Sequence, residues 1–266
     1  MLDPYNRRIN YLRISVTDRC NLRCRYCMPA SGIKLIPHDQ ILTFEEIRDF
    51  VRVGTGLGID KVRLTGGEPL VRKDIVLLVR MLADLPGIKD LGMTTNGILL
   101  TRYAEDLAKA GLDRVNISLD SLDEGNFRYI TRIGKLHSVL KGIEAAKQAG
   151  LTPVKINCVV KGAKLDHDAL AVRAFGKKNG LQVRFIREMD LESGVFSVVK
   201  GGDGGRCYIC NRLRLTSDGY LKPCLFSEKG YNIRECGYEE AYNLAVGNKP
   251  GRGTLNNINN FYNIGG

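Results

Sequence analysis

Cys20, Cys24 and Cys27 lie in one short stretch of a 266-residue chain, and three thiolates that close can each bind one iron of a four-iron cluster. The fourth iron would stay open to a small molecule. Structural zinc would need a fourth ligand, and no further Cys or His occurs before His38. Cys207, Cys210 and Cys224 form a second set with the same deficit. There Cys236 could close a four-cysteine site, so the residues alone leave a zinc ribbon and a cluster with an open iron both standing. Cys158 lies apart from both sets. Eight cysteines in a chain whose first residues lack the apolar core of an export signal read as metal or redox ligands, because a cytoplasmic compartment keeps thiols reduced.

Beside the second set stand Arg212 and Arg214. Strand alternation sends both to one face, where two guanidiniums can grip phosphate or carboxylate. Asp218-Gly219 between alternating runs predicts a two-residue hairpin turn that sets Leu213 opposite Cys224.

Several short runs must position these groups: Leu12–Val16, Lys61–Thr65, Leu91–Thr95, Arg114–Asp120, Val154–Val160 and Val183–Met189. Helical patterns separate them. Thr43 and Glu46 make a capping box, Ile75, Leu78, Val79 and Leu82 an apolar stripe, Thr101 a cap for a helix ending near Gly111, and Leu136–Gly150 a further helix. Strands joined by helices pair in parallel. These strands alternate instead of reading as uniform apolar runs: Arg13, Ser15 and Thr17 share one face, as do Lys61, Arg63 and Thr65, then Asn116, Ser118 and Asp120, then Lys155 and Asn157. With helices on the apolar faces, the polar faces must meet around a hydrophilic interior. The fold expected is α/β, a partial six-stranded (β/α)6 parallel barrel over residues 1–190. A glycine-rich stretch follows, and then a small C-terminal iron–sulfur module within 191–266. The first cysteine loop follows the first strand, at the end of the barrel where active sites lie.

The spacing of Cys20, Cys24 and Cys27, with Tyr26 before the last, resembles the signature of the radical S-adenosylmethionine superfamily. Thr65-Gly66-Gly67-Glu68-Pro69 agrees with it. Within that superfamily, the run from Cys207 to Phe226 is similar to the C-terminal motif of the GTP 3′,8-cyclase family, the molybdenum cofactor biosynthesis protein A family. So are Arg13-Ile-Ser-Val-Thr-Asp-Arg-Cys20, Arg63-Leu-Thr-Gly-Gly-Glu-Pro, Thr94-Thr-Asn-Gly, Asn116-Ile-Ser-Leu-Asp-Ser-Leu, Val154-Lys-Ile-Asn and the terminal Gly265-Gly266.

The resemblance implies two 4Fe-4S clusters, on Cys20, Cys24 and Cys27 and on Cys207, Cys210 and Cys224, the second with its open iron at the purine ring. It implies that S-adenosylmethionine contacts Tyr26, Gly67, Ser118 and Met189. GTP would meet Arg13, Arg63, Thr94, Lys155, Arg184, Arg212, Leu213 and Arg214. Catalytic roles would fall to Arg13 and to Gly265 and Gly266, a tail reaching into the barrel. The reaction implied is that of a lyase in the first step of molybdenum cofactor biosynthesis. A 5′-deoxyadenosyl radical takes hydrogen from ribose C3′, C3′ bonds to guanine C8, and the product radical is reduced. Implied partners are a one-electron reductant such as flavodoxin or ferredoxin and a downstream cyclic pyranopterin monophosphate synthase, with room for a homodimer. The segment between Met189 and Cys207 is shorter than the family usually carries.

The formal charge of +11 calls for an anionic partner. Basic residues are scattered without blocks, which disfavours nucleic acid, and no apolar run is long enough for a membrane span. No Gly-x-x-x-x-Gly-Lys-Ser/Thr segment exists, so a nucleotide would not be held by a P-loop. The competing readings are a peptide-modifying radical enzyme with an auxiliary cluster, and a non-catalytic zinc or iron–sulfur protein.

Overall fold

The computed structural model describes residues 1–162, 164–189 and 197–253. Its centre is one sheet of nine strands: β1 Tyr11–Ser15, β2 Lys61–Thr65, β3 Asp90–Thr95, β4 Arg114–Ser118, β5 Lys155–Val160, β6 Gln182–Arg187, β7 Arg212–Leu215, β8 Tyr220–Lys222 and β9 Tyr231–Asn232. The order is β6-β5-β4-β3-β2-β1-β7-β8-β9. Strands β1 to β6 are parallel, as their helical connections require, and form the partial barrel.

The C-terminal strands are not a separate sheet. Strand β7 pairs in parallel with the free edge of β1, setting Arg212 beside Tyr11 and Arg214 beside Arg13. The hairpin that follows differs from the expected one by a single residue. Arg214 faces Lys222 and Leu215 faces Leu221, a register that puts Leu213 level with Pro223 instead of Cys224. The Gly219 amide bonds the Thr216 carbonyl at 3.1 Å, and Thr216 and Tyr220 close the turn. The loop is therefore three residues long, with Gly219 at φ +94°, where a side chain is unfavourable.

Helices α1 Phe44–Gly56, α2 Ile75–Ala83, α3 Leu100–Lys109, α4 Glu124–Thr131, α5 Leu136–Gln148 and α6 His167–Asn179 link the barrel strands, and α7 Ile233–Cys236 and α8 Tyr238–Gly247 close the C-terminal part. The Thr43–Glu46 capping box is formed at α1. Thr101 does not cap α3; the helix begins one residue earlier, with Leu99 at the cap position and no side-chain bond there. Helix α4 has no counterpart in the sequence reading. Its start is fixed by Asp123, whose carboxylate accepts the Asn126 amide.

The apolar strand faces meet the helices. Leu12, Ile14, Val62, Leu64, Val115 and Ile117 are fully buried with Ile47, Phe50, Leu78 and Val79, each worth about 1.5–3 kcal/mol of transfer free energy. Cys158 belongs to this core and is fully buried, its thiol pushed up by burial. Cys236 ends α7 and donates to the Asn232 carbonyl at 2.9 Å, so it is spent within its own turn. The C-terminal helix α8 docks on α1 through Tyr242, which stacks on Phe50 with ring centroids 4.4 Å apart. Gly54 makes that approach possible, since a Cβ there would stand 2.3 Å from the Tyr242 hydroxyl.

Candidate active site

The first cysteine loop leaves β1 at its carboxyl end and is held by backbone bonds from two sides. On one side are Gly66 and Gly67. The Gly67 amide donates to the Thr17 carbonyl at 2.7 Å and the Glu68 amide to the Arg19 carbonyl at 2.8 Å. A Cβ on Gly67 would lie 2.3 Å from the Arg19 oxygen, so the space freed by the glycine is filled by the cysteine loop itself. On the other side, the amides of Arg23 and Arg25 bond the carbonyls of Thr131 and Ile130 at the end of α4, and Arg132 donates to the carbonyls of Arg23 and Met28.

Two buried carboxylates complete the frame. Glu68 accepts from the Leu70 amide at 3.1 Å, the Thr95 hydroxyl at 2.7 Å and the Asn96 amide at 2.7 Å. Burial nonetheless pushes its carboxyl up to about 7. Asn96 in turn donates to Asn21 inside the cysteine loop at 2.7 Å. Asp120 accepts the Tyr26 hydroxyl at 2.7 Å and the Val159 amide at 2.7 Å, and burial raises it to about 6. Tyr26, expected beside S-adenosylmethionine, is thereby fixed to the end of β4, just beyond Ser118. Ser118 pairs in register with Asn157 of β5.

Cys24 is held well above the ordinary thiol range, first by its hydrogen bond with Cys27 and then by burial. Two thiolates side by side need a cation between them. Among the described residues, no three His, Cys, Asp or Glu side chains converge closely enough to hold a single metal ion. The cysteines of a four-iron cluster each bind a different iron, so an all-thiol set in one loop fits that larger group. The second set is drawn from separate segments: Cys207 opens a short 3-10 turn, Cys210 precedes β7 and Cys224 follows β8. The charges of Cys210 and Cys224 act on each other.

Below the cysteine loop the lumen is cationic. The register lays Arg214, Arg13 and Arg63 across three adjacent strands, and Gly92 on the next strand leaves room for the Arg63 guanidinium. One row higher come Thr94, Asn116 and Lys155, then Asn157 beside Arg184. Arg212 shares the face of Arg214. Burial lowers Arg13, Arg184 and Arg214 below the ordinary arginine range, and the repulsion of neighbouring guanidiniums adds to it. Lys155 is lowered to about 8, by burial first and then by Arg184, Arg114 and Arg63.

Several polar atoms in this lumen lack partners among the described residues. Arg63 Nη1, Thr94 Oγ1, Asn116 Oδ1, Asn157 Oδ1 and Arg184 Nε are buried without a hydrogen bond with any described residue. Buried polar groups are rarely left so, and five of them around one cationic space describe a site shaped for a polar anion.

Among the expected site residues, Arg13, Arg63, Thr94, Lys155, Arg184, Arg212 and Arg214 lie on this one polar face. Leu213 does not. Its side chain is fully buried in the apolar core beside Leu12, so any contact it makes with a substrate runs through its backbone. Met189 packs on Leu225 and Phe226 together with Cys224, beside the second cysteine set. Gly265 and Gly266 lie outside the described residues.

Tyr11 escapes the sequence reading because an aromatic on a strand reads as core. It stands among the lumen cations, accepting from Arg63 Nε at 2.5 Å, with Lys61, Arg63 and Arg212 5.1–5.9 Å from its ring centroid. Burial would raise its phenol, but Arg63 and Arg13 outweigh that and bring it down to about 8.

Residues 14–174 match the profile of the Radical SAM superfamily. GTP 3′,8-cyclase of Thermodesulfovibrio yellowstonii is 44% identical over 281 aligned positions, covering 88% of this chain and 87% of its own length. The same-named protein of Alkaliphilus oremlandii is 46% identical over 275 positions, with 88% and 86% covered. The 281 positions outnumber the 266 residues here, so the relative carries residues without a counterpart in this chain. Among solved structures, Streptococcus suis SuiB bound to S-adenosylmethionine superimposes with a TM-score of 0.65 at 15% identity, over 88% of this chain and 65% of that one. Methylornithine synthase does so with 0.53 at 19%, over 69% and 54%. At those identities the likeness is one of fold alone. The cysteine loop, the cationic lumen and the near full-length relatives agree, and the chain belongs to the GTP 3′,8-cyclase family of the radical S-adenosylmethionine superfamily.

Proposed function

We propose that the chain is a radical S-adenosylmethionine GTP 3′,8-cyclase acting in molybdenum cofactor biosynthesis, a lyase with a four-iron cluster at each cysteine set. The observation that carries the substrate is the cationic lumen of Arg13, Arg63, Lys155, Arg184, Arg212 and Arg214, in which buried polar atoms of Arg63, Thr94, Asn116, Asn157 and Arg184 have no partner among the described residues, an arrangement that suits a triphosphate attached to a polar base.

A cluster on Cys20, Cys24 and Cys27 with S-adenosylmethionine supplies, when bound, the one-electron bond cleavage that starts the reaction. The chain's own groups bind and orient. Tyr26, fixed by Asp120, with Gly67, Ser118 and Met189, receives S-adenosylmethionine. The lumen cations and Thr94 would hold GTP with ribose C3′ toward the bound cofactor, with Leu213 contributing only backbone between Arg212 and Arg214. The hydrogen atom lost from C3′ would pass to the 5′-deoxyadenosyl carbon to give 5′-deoxyadenosine, the C3′–C8 bond would form, and one electron and one proton would complete the product. Arg13, which lies between Arg63 and Arg214, would act in that closure, and Gly265 and Gly266 are assigned to the same step. Most of the catalytic advantage is positioning and exclusion of water, since no step needs a strong side-chain base. The electron source is a one-electron carrier such as flavodoxin or ferredoxin, and the consumer of the product is a cyclic pyranopterin monophosphate synthase. No described helix is long and apolar enough to cross a membrane.

The test is anaerobic reconstitution with iron and sulfide, then reductant, S-adenosylmethionine and GTP. Formation of 5′-deoxyadenosine with a cyclised guanine nucleotide is expected. Turnover of a peptide but not GTP would overturn the reading, and about four irons instead of about eight would remove the second cluster.

A further inference from the structure

Lys249 follows α8 and is only 3% exposed. Burying an ammonium is costly unless its donors and its charge are met. Its Nζ donates to the carbonyls of Arg212 and Pro223, both at 2.6 Å. Those carbonyls bracket the second site, Arg212 lying just after Cys210 and Pro223 just before Cys224. An ammonium has three N–H groups, and the third finds no acceptor among the described residues.

The negative groups that act on this charge most strongly are Cys210 and Cys224, ahead of Asp3. Asp3 is already engaged by Arg7 at 2.6 Å. Arg7 also donates to the Cys207 carbonyl at 2.7 Å and the Pro250 carbonyl at 2.7 Å, and so braces Lys249 from the other side. Lys249 is thus a buried cation, with one N–H unmet among the described residues, that clamps the two segments presenting the cysteines, and the negative groups that act on it most are Cys210 and Cys224.

We propose that Lys249 is the charge-compensating residue of the second cysteine site, holding Cys210 and Cys224 together and raising the reduction potential of a cluster bound to Cys207, Cys210 and Cys224. The inference rests on the two-cluster reading above. A nearby cation stabilises the reduced, more negative form of a cluster, and a hydrogen bond toward its sulfurs acts the same way. Arg212 and Arg214 also act on Cys210, but they serve the lumen as well.

The test compares Lys249→Gln, which keeps donors for the two carbonyls but loses the charge, with Lys249→Arg. Iron is counted after anaerobic reconstitution, and the second cluster's reduction is followed by spin resonance at controlled potential, with Cys24→Ser used to remove the first signal. In K249Q the reduced-to-oxidised ratio at a fixed potential should fall about tenfold, equal to about 59 mV for a one-electron couple. K249R should stay close to the parent. An unchanged potential in K249Q overturns the proposal. Loss of the second cluster's iron in K249Q but not in K249R supports it, whereas equal loss in both shows a packing role and overturns it. About four irons in the parent protein itself would overturn the two-cluster reading, and the proposal with it.

Discussion

Lys155 and Tyr11 are lumen groups whose ionisation falls near neutrality, and the neighbouring guanidiniums act on both. Burial first, and then the repulsion of Arg184, Arg114 and Arg63, brings the lysine to about 8, while the pull of Arg63 and Arg13 outweighs burial and brings the phenol to about 8. Both changes make the lumen less positive as pH rises. GTP binding should therefore weaken above pH 8, read as a rising KM. Lys155→Met should raise KM for GTP on the order of 10–100-fold, the loss of one charge-assisted hydrogen bond of about 1.5–3 kcal/mol. It should also flatten part of the pH dependence, and Tyr11→Phe should remove the remainder. A KM independent of pH between 7 and 9 in the parent would contradict this account. Stability runs the other way for Lys155. Its folded value lies below the unfolded 10.5, so the unfolded chain holds more protons between about 8 and 10.5, and the lysine's cost to folding disappears as pH climbs through that window. Chain scanning reaches Lys155 because a lysine alternating with apolar residues is conspicuous. Tyr11 and Lys249 stay hidden, because a tyrosine on a strand and a lysine after a helix are ordinary until their neighbours are known.

Among the elements, the paired glycines after β2 bear the sharpest constraint. The atoms that a Gly67 Cβ would strike are the backbone oxygens of Arg19 and Asp18, at 2.3 and 2.8 Å, and backbone cannot rotate aside as a side chain can. Gly67→Ala should therefore displace the segment leading into Cys20. The expected result is loss of the first cluster's iron, about half the total, with the second cluster retained. Retention of full iron would show that the loop can slide. The strands themselves were legible because a polar lumen imposes alternation on a parallel sheet that would otherwise read as uniform apolar runs. Helix α4 was not, since Gly125 and Asn126 in its first turn are weak helix formers and only Asp123 marks its start. The hairpin register slipped by one because Asp218-Gly219 is a signal for a two-residue turn, and nothing local announces that Ser217 joins the loop. That β7 would add to β1 is a tertiary fact, set by Leu213 entering the core beside Leu12.

At the scale of the molecule, the sheet is open, with β6 at one edge and the β7–β9 extension at the other. The lumen cations lie on both sides of that opening: Lys155 and Arg184 on β5 and β6, Arg13 and Arg63 on β1 and β2, Arg212 and Arg214 on β7. Without an anion they repel across the space and disfavour the compact state. A triphosphate can reach cations from both groups at once, so binding should couple the two edges of the sheet and stabilise the whole chain. For the reconstituted protein held anaerobically, GTP at about 100 times its dissociation constant should add about 2.7 kcal/mol. For a chain of this size that is a rise in Tm of roughly 5 °C. Inorganic tripolyphosphate should give a large part of that rise and guanosine little of it. Added salt should shrink it less than it would for exposed charges, because the lumen is sheltered from screening. A rise as large with guanosine as with GTP would mean that the base, and not the phosphates, bridges the lumen, and would move the cationic rows from substrate anchoring to a purely structural role.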